Sequence, residues 1–297
     1  MSKPKPFILV STVDGVMIVN RLDYATYSFG PAQYGNYGVG YDILTGADDD
    51  ALRDITLMKE LLSLRKRTRR GDGREIVALD IGANIGTHTV AFANHMYGWG
   101  RVVAAEAQER IFYTLAGNIT LNNCLNAQAL WAAFSDKVST MKMPKPNYLE
   151  PANFGALSLE KQRDNIFGQH ISFEEKNMVE IQTKTIDSLN LESVDLIKID
   201  VEGMELKVLE GGIKTICAQK PFLFIEHIHV DRQKLAYFLE ENRYIYKESG
   251  MNTIAIHKDD KMAKKINLLV EQKEPLWKKI QRKSWWNKAL KKCKLLK

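Results

Sequence analysis

Ile76-Val77-Ala78-Leu79-Asp80-Ile81-Gly82-Ala83-Asn84-Ile85-Gly86-Thr87 is the stretch on which the fold of this chain turns. Ile76 to Asp80 is apolar with little alternation, as a strand covered on both faces requires. Gly82 and Gly86 then bend the chain, and the apolar run from Thr87 to Met96 has helical spacing. The same rhythm continues outward. Strands are expected at Arg101 to Glu106, Ala127 to Phe134, Val179 to Thr185, Asp195 to Asp200 and Pro221 to Glu226. Helices are expected at Glu109 to Asn122, Met204 to Ile216 and Arg232 to Asn242. Arg243 to Lys247 and Thr253 to His257 flank Ser249-Gly250 and read as an antiparallel pair that closes the sheet. Strands alternating with helices demand right-handed crossovers, so the expected fold is α/β with a doubly wound, mostly parallel sheet.

Three regions depart from this rhythm. In residues 1–50, Val10 to Val19 looks like a short hairpin around Asp14-Gly15, and Tyr24 to Tyr41 is a Tyr- and Gly-rich loop, so a loop-rich N-terminal extension is expected to pack on the core. Asp48-Asp49-Asp50 opens a helix that runs to about Leu64, with the basic run Arg65 to Arg70 behind it. Cations there complement the negative end of the helix dipole; a phosphate-binding patch is the alternative. Residues 138–178, with prolines, Asn and Gly, read as an insertion within a main domain of residues 51–260. The third region is the tail, 261–297.

Charge is distributed unevenly. The chain has 42 basic and 36 acidic residues, net +6, yet thirteen Lys/Arg against only Glu271 and Glu274 fall in the tail. The other 260 residues therefore carry 29 basic and 34 acidic groups, a net of −5. A nucleic-acid footprint needs basic residues spread over the folded body, so nucleic acid is not the expected partner, and neither a D-P-P-Y nor an N-P-P-Y motif is present. Trp277, Ile280, Trp285, Ala289 and Leu296 fall roughly on one helical stripe between lysines. Such a helix suits an anionic membrane surface; an ordinary C-terminal helix with a solvated basic face is the competing reading. Cys124, Cys217 and Cys293 are odd in number and never spaced C-x-x-C, which argues against a disulfide framework or a cysteine zinc site. No apolar run approaches the ~18 residues of a membrane span, and Phe7 to Val10 is too short for a signal peptide. The expected location is the cytoplasm, with peripheral contact at the inner membrane face if the tail binds lipid.

The glycine turn carries the chemistry. In open α/β sheets ligands bind beyond the carboxyl ends of the strands, where strand order reverses. Gly82 permits the tight bend, and Gly86 lets the helix start close to the sheet, so backbone and a helix N-terminus approach a ligand together. Glu106, twenty residues after Gly86, ends the next strand, where a carboxylate accepts hydrogen bonds from a ribose diol. A dinucleotide needs G-x-G-x-x-G, whose middle glycine makes room for pyrophosphate. Here the spacing is G-x-x-x-G and Asp80 precedes it. An anion so placed repels pyrophosphate and suits a ligand with an ammonium and a sulfonium, which is S-adenosylmethionine; another nucleotide is the alternative. Phe134-Ser135-Asp136 offers an apolar edge and an acceptor for the adenine amine.

Asp80 to Thr89 (DIGANIGTHT), Ala133 to Lys137 (AFSDK), Thr185 to Leu189 (TIDSL) and Leu196 to Gly211 (LIKIDVEGMELKVLEG) resemble the FkbM-type methyltransferases. The resemblance covers about residues 75–258. It implies a Rossmann-like class I fold on a seven-stranded sheet and S-adenosylmethionine-dependent methylation of a hydroxyl on a sugar, glycan, lipid-linked saccharide or natural product. It also places Asp80, Gly82, Asn84, Gly86, Glu106, Ser135 and Asp136 around the cofactor, with Ala83, Thr87 and Ala107 beside them. Residues 1–50 and the tail lie outside it.

The acceptor is expected over the ends of the fourth and fifth strands. A neutral sugar hydroxyl is a poor nucleophile, so a base takes its proton during attack. Asp200 or His227 is the expected base, with Glu202 and Glu226 positioning the acceptor; a cap on the following helix is the plainer role for Glu202, and a surface position for His229. Asp200, Glu226 and His227 also form a candidate set for a divalent metal such as magnesium. Lys198, inside a strand, reads as a pairing residue. The rival to an enzyme is a non-catalytic nucleoside-binding or scaffold protein that keeps the fold.

Overall fold

The computed structural model describes residues 5–28, 34–46, 49–69, 73–159 and 167–265; the tryptophan-rich tail expectation lies outside them. An N-terminal segment contains β1 (Phe7–Ser11), β2 (Val16–Asn20), β3 (Ala25–Ser28), β4 (Tyr34–Tyr37), α1 (Val39–Thr45) and α2 (Asp49–Thr68). Then follow β5 (Ile76–Ile81), α3 (Thr87–His95), β6 (Gly100–Glu106), α4 (Glu109–Leu121), β7 (Ala127–Trp131), β8 (Ala133–Phe134) and β9 (Ser139–Pro144). The chain continues through β10 (Met178–Lys184), β11 (Leu196–Ile199), α5 (Glu205–Glu210), α6 (Ile213–Gln219), β12 (Phe222–Glu226), α7 (Arg232–Glu241), β13 (Tyr244–Ser249) and β14 (Asn252–His257).

Seven of these strands form one sheet in the order β13-β14-β12-β11-β5-β6-β7. β5 pairs in parallel with β6 on one side and β11 on the other, and every one of its residues is buried. Its side chains divide between two apolar layers: Ile76 and Ala78 pack with Met58, Leu62, Val90 and Leu115, while Val77, Leu79 and Ile81 pack with Val208, Ile216 and Leu239. A strand covered on both faces explains the unbroken apolar run. Only β14 runs against its neighbours, lying between β12 and β13. The chain leaves β5 toward β6 and β7 and later returns to β11 on the opposite side, so order reverses between β5 and β11. This is the sheet expected from the sequence.

Several local expectations need correction. The strand expected over Ala127 to Phe134 splits, because β8 leaves the main sheet and pairs with β10 in a separate sheet that also holds β9. Val179 to Thr185 belongs to that small sheet and not to the central one. The helix expected over Met204 to Ile216 is two, α5 and α6, parted at Gly211-Gly212, where the chain runs so close to Ser135 that a Cβ on Gly211 would sit 2.1 Å from its carbonyl oxygen. The Tyr24 to Tyr41 segment, expected as loop, holds a second hairpin of β3 and β4 and the start of α1.

The N-terminal segment is tied to the core by polar contacts. Asn118 and Asn122, one turn apart on α4, act like a neighbouring strand for the edge of β2. Asn118 Oδ1 accepts from Ile18 N at 2.6 Å and Asn122 Oδ1 from Val16 N at 2.9 Å. Asn118 Nδ2 also donates to Ile85 O at 2.8 Å, which links this hairpin to the glycine turn. The basic run is likewise structural. Arg69 Nη1 lies 2.8 Å from Asp195 Oδ1, Arg65 Nη1 lies 2.8 Å from Asp260 Oδ2, and the Arg65 guanidinium sits 4.2 Å from the Phe222 ring centroid. Asp195 is fully buried and its Oδ2 accepts from Val77 N at 3.0 Å, so α2 is fastened to the start of β5. Removing one partner of a buried pair leaves the other charge uncompensated, at a cost of about 3–5 kcal/mol. Asp195→Ala is therefore expected to lower the unfolding free energy by that amount in urea titration, whereas Arg101→Ala, which removes an exposed pair with Glu75, is expected to cost under about 1 kcal/mol.

Candidate active site

Gly82 and Gly86 both adopt left-handed backbone, at φ 79° and 92°. At Gly82 the reason is contact: an added Cβ would lie 1.7 Å from the Asp200 carbonyl oxygen, so the turn after β5 presses directly on the end of β11. Below this contact is Lys198, almost wholly buried. Its Nζ donates to Gly82 O and to Asp200 Oδ2, each at 3.1 Å, and stands 3.5 Å from Asp80 Oδ1. Burial opposes its charge, but the Asp200 and Asp80 carboxylates prevail and hold its pKa above the usual lysine value. Asp80 itself is fully buried and accepts from Thr89 Oγ1 at 2.6 Å. The sequence expectation that Asp80 faces a cofactor is thus corrected: it lies behind the turn and holds Lys198 and α3 in place.

In front of the turn is a cavity of about 410 Å³. One end is walled by Gly82, Asn84, Glu106, Ala107, Gln108 and the Ala132 to Phe134 edge. Glu106 is buried, and its two oxygens accept from Asn84 N at 3.0 Å and Gln108 N at 2.8 Å. Burial pushes its pKa up to about 7 despite those donors. Each oxygen keeps a further lone pair for an incoming hydroxyl. Of the other expected cofactor residues, Ala83 and Gly86 shape the turn without reaching the cavity wall, and Thr87 lines a second cavity. Ser135 and Asp136 also lie outside the wall; Ser135 Oγ donates to Asp136 Oδ1 at 2.9 Å, and Phe134 and its two preceding alanines form that edge instead.

At the other end stand Asp200, Glu202, Glu226, Ile228 and His229. Oxygens of the three carboxylates lie within 4.8 Å of one another. Burial, then the neighbouring negative charge of Asp200, raises both Glu202 and Glu226 above ordinary carboxylates, Glu226 to about 10. His227 does not join them. It follows Glu226 in sequence and takes the opposite face, buried, with Nδ1 2.7 Å from Thr253 Oγ1. Of the two expected bases, Asp200 or His227, only His227 drops out, and the expected metal set Asp200, Glu226 and His227 is corrected likewise: the carboxylates that converge are Asp200, Glu202 and Glu226. His229 is exposed, as expected, and at the cavity edge its Nε2 stands 3.4 Å from Glu202 Oε2. Period-two alternation past Glu226 was the available signal against His227.

The roof comes from segments that carry no motif. Tyr27, Tyr37, Val39 and Asp42 reach over from the N-terminal extension, and Asn153, Gly155 and Leu157 from the 138–178 region. Asp23, fully buried, ties the two together: its oxygens accept from Gly40 N at 3.0 Å and Phe154 N at 2.9 Å, and burial lifts its pKa to about 6.

The closeness of Gly82 to Asp200 has a direct test. Gly98 also has positive φ, 76°, but an added Cβ there meets nothing within 4 Å. Gly98→Ala is expected to cost about 1–2 kcal/mol, the left-handed backbone penalty alone. Gly82→Ala is expected to cost clearly more in the same denaturation experiment, because it must also displace the end of β11.

Comparison with known proteins bears on what this cavity belongs to. The sdnD methyltransferase of Sordaria araneosa is 27% identical over 159 residues, 45% of this chain and 59% of that protein. The chain thus matches less than two thirds of that relative's length. Methyltransferase FkbM from Methylobacillus flagellatus KT superposes with a TM-score of 0.44 at 19% identity, over 64% of this chain and 46% of that one. The N-terminal domain of human METTL16 in complex with SAH gives a TM-score of 0.37 at 12% identity, over 68% and 69% of the two chains. The family described as Methyltransferase FkbM domain matches residues 80–264, well over half of the chain. That span takes in both glycines of the turn, the three converging carboxylates and every wall of the cavity except Tyr27 to Asp42, and by it the chain belongs to the FkbM methyltransferase family.

Proposed function

We propose that this protein transfers a methyl group from S-adenosylmethionine to a hydroxyl of a sugar, glycan, lipid-linked saccharide or natural product. The observation that carries this reading is that one cavity joins the Gly82–Glu106 end to the Asp200–Glu202–Glu226 end. The adenosyl group fits the first end, its ribose hydroxyls donating to Glu106 and its base lying along Ala132 to Phe134. The methyl then faces the second end. There the acceptor oxygen attacks the methyl carbon in line, the carbon–sulfur bond breaks, and its electron pair stays on sulfur as S-adenosylhomocysteine. Asp200 Oδ1 or Oδ2 takes the hydroxyl proton, with Lys198 beside it to offset the charge on the carboxylate before transfer. Glu202 and Glu226 orient the acceptor by hydrogen bonds. Alignment of oxygen, carbon and sulfur supplies much of the rate.

Asp200→Asn is expected to lower methyl transfer by about 10²–10⁴-fold while S-adenosylhomocysteine still binds in calorimetry. Donor binding with no transfer to any glycan or metabolite fraction, by either protein, would instead favour the non-catalytic scaffold. A divalent cation such as magnesium is a second reading, favoured by the spacing of the three carboxylates. Transfer that is lost in EDTA and restored by magnesium selects it; transfer indifferent to EDTA leaves Asp200 acting alone.

Donor affinity is also expected to depend on pH. Ionised Glu106 accepts from both ribose hydroxyls, and protonated Glu106 does so poorly. Affinity for S-adenosylhomocysteine is therefore expected to rise, up to about tenfold, as pH increases through about 7. Glu106→Gln is expected to bind weakly at every pH, flattening the profile.

A further inference from the structure

Resting on the same placement of donor and acceptor, the chemistry of the acceptor end narrows the substrate class. We infer that the acceptor is an uncharged or amine-bearing hydroxylated ring, held between the tyrosine pair of the N-terminal extension and the carboxylate floor. The same walls turn away acceptors with phosphate or carboxylate beside the reacting hydroxyl.

Two independent features support this. The floor is acidic: Asp200, Glu202 and Glu226 converge within 4.8 Å, Asp42 and Glu106 stand in the same wall, and no Lys or Arg is among the lining residues described. The nearest cation, Lys198, is already engaged with Gly82 O, Asp80 and Asp200. Glu202 Oε2 is shielded from solvent and accepts no hydrogen bond in the structure, which leaves it ready for a hydroxyl or ammonium donor. Among the described lining residues an anionic acceptor finds no lysine or arginine, only His229 with Nε2 3.4 Å from Glu202 Oε2, and it meets the Asp200 carboxylate at short range. The second feature is the roof. Tyr27 and Tyr37 face each other with ring centroids 5.6 Å apart and planes tilted by 56°, and Asn153 Nδ2 donates to Tyr27 Oη at 3.3 Å. Aromatic faces carry partial negative charge, so they accept the C–H face of a neutral ring or an ammonium and disfavour an anion. Both tyrosines lie outside the family match at 80–264, so this chain supplies its own acceptor selection.

The experiment is calorimetry on the full chain saturated with S-adenosylhomocysteine, titrated with methyl β-glucoside, glucosamine, glucose 6-phosphate and glucuronate. The first two are expected to bind at millimolar levels, and the two anions at least tenfold more weakly. Tyr37→Ala, at a half-exposed site, is expected to weaken the neutral and amino probes about tenfold while donor affinity stays the same, an unchanged melting temperature showing that the fold is intact. Asp200→Asn, which removes the carboxylate charge of the floor, is expected to narrow the gap between neutral and anionic probes. Anions that bind as well as the neutral probes, no binding by any of the four, or a Tyr37→Ala protein indistinguishable from the parent would each overturn the inference. Failure of S-adenosylhomocysteine itself to bind would overturn the methyl-transfer reading instead.

Discussion

A single buried ammonium organises the functional end of this protein. Lys198 stands between β5 and β11, where strand order reverses, and joins the Gly82 carbonyl, Asp80 and Asp200. A charge without partners would be expensive at that depth. Here two carboxylates and a carbonyl compensate it, and the compensation locks the turn after β5 to the end of β11. The Gly82–Asp200 approach, too close for any side chain, is the steric counterpart of that lock. The glycine turn and the Asp200 carboxylate are therefore set relative to each other by the same few atoms.

The electrostatics beyond this lock divide the labour among acids of similar type. Asp80 is sealed behind the turn and its work is structural. Glu106 is held by two backbone donors and poised near neutrality. Asp200 has the ammonium beside it, whereas burial and then the charge of Asp200 raise Glu202 and Glu226. Five carboxyl groups thus take different roles from environment alone, which is what pairs of unlike titratable sites offer a proton-transfer reaction.

The cavity is completed by segments with no part in the sheet. Asp23 binds the start of α1 to the 138–178 region, and the asparagine pair on α4 holds the first hairpin to the glycine turn. These polar staples position the roof, which lies partly outside the family match at 80–264, over a floor that lies within it.

The sequence alone determined the sheet and the turn. Runs of buried β-branched residues, the G-x-x-x-G spacing and Glu106 at the next strand end are local patterns, imposed by backbone geometry and burial within a few residues, and so they are legible without coordinates. Tertiary structure alone decided which acids face the cavity. Asp80 and Asp200 end adjacent strands yet one is sealed and the other open, because Lys198 and Thr89 fill the space around the first. His227 leaves its expected place for a similar reason: β12 ends at Glu226, so His227 takes the opposite face, whereas His229 is exposed as expected and reaches Glu202 from the cavity edge. Tyr27, Tyr37 and Asp42 meet the floor only through contacts spanning well over a hundred residues, such as Asp23 with Phe154. No periodicity records such contacts, since they depend on packing between distant segments and not on spacing along one.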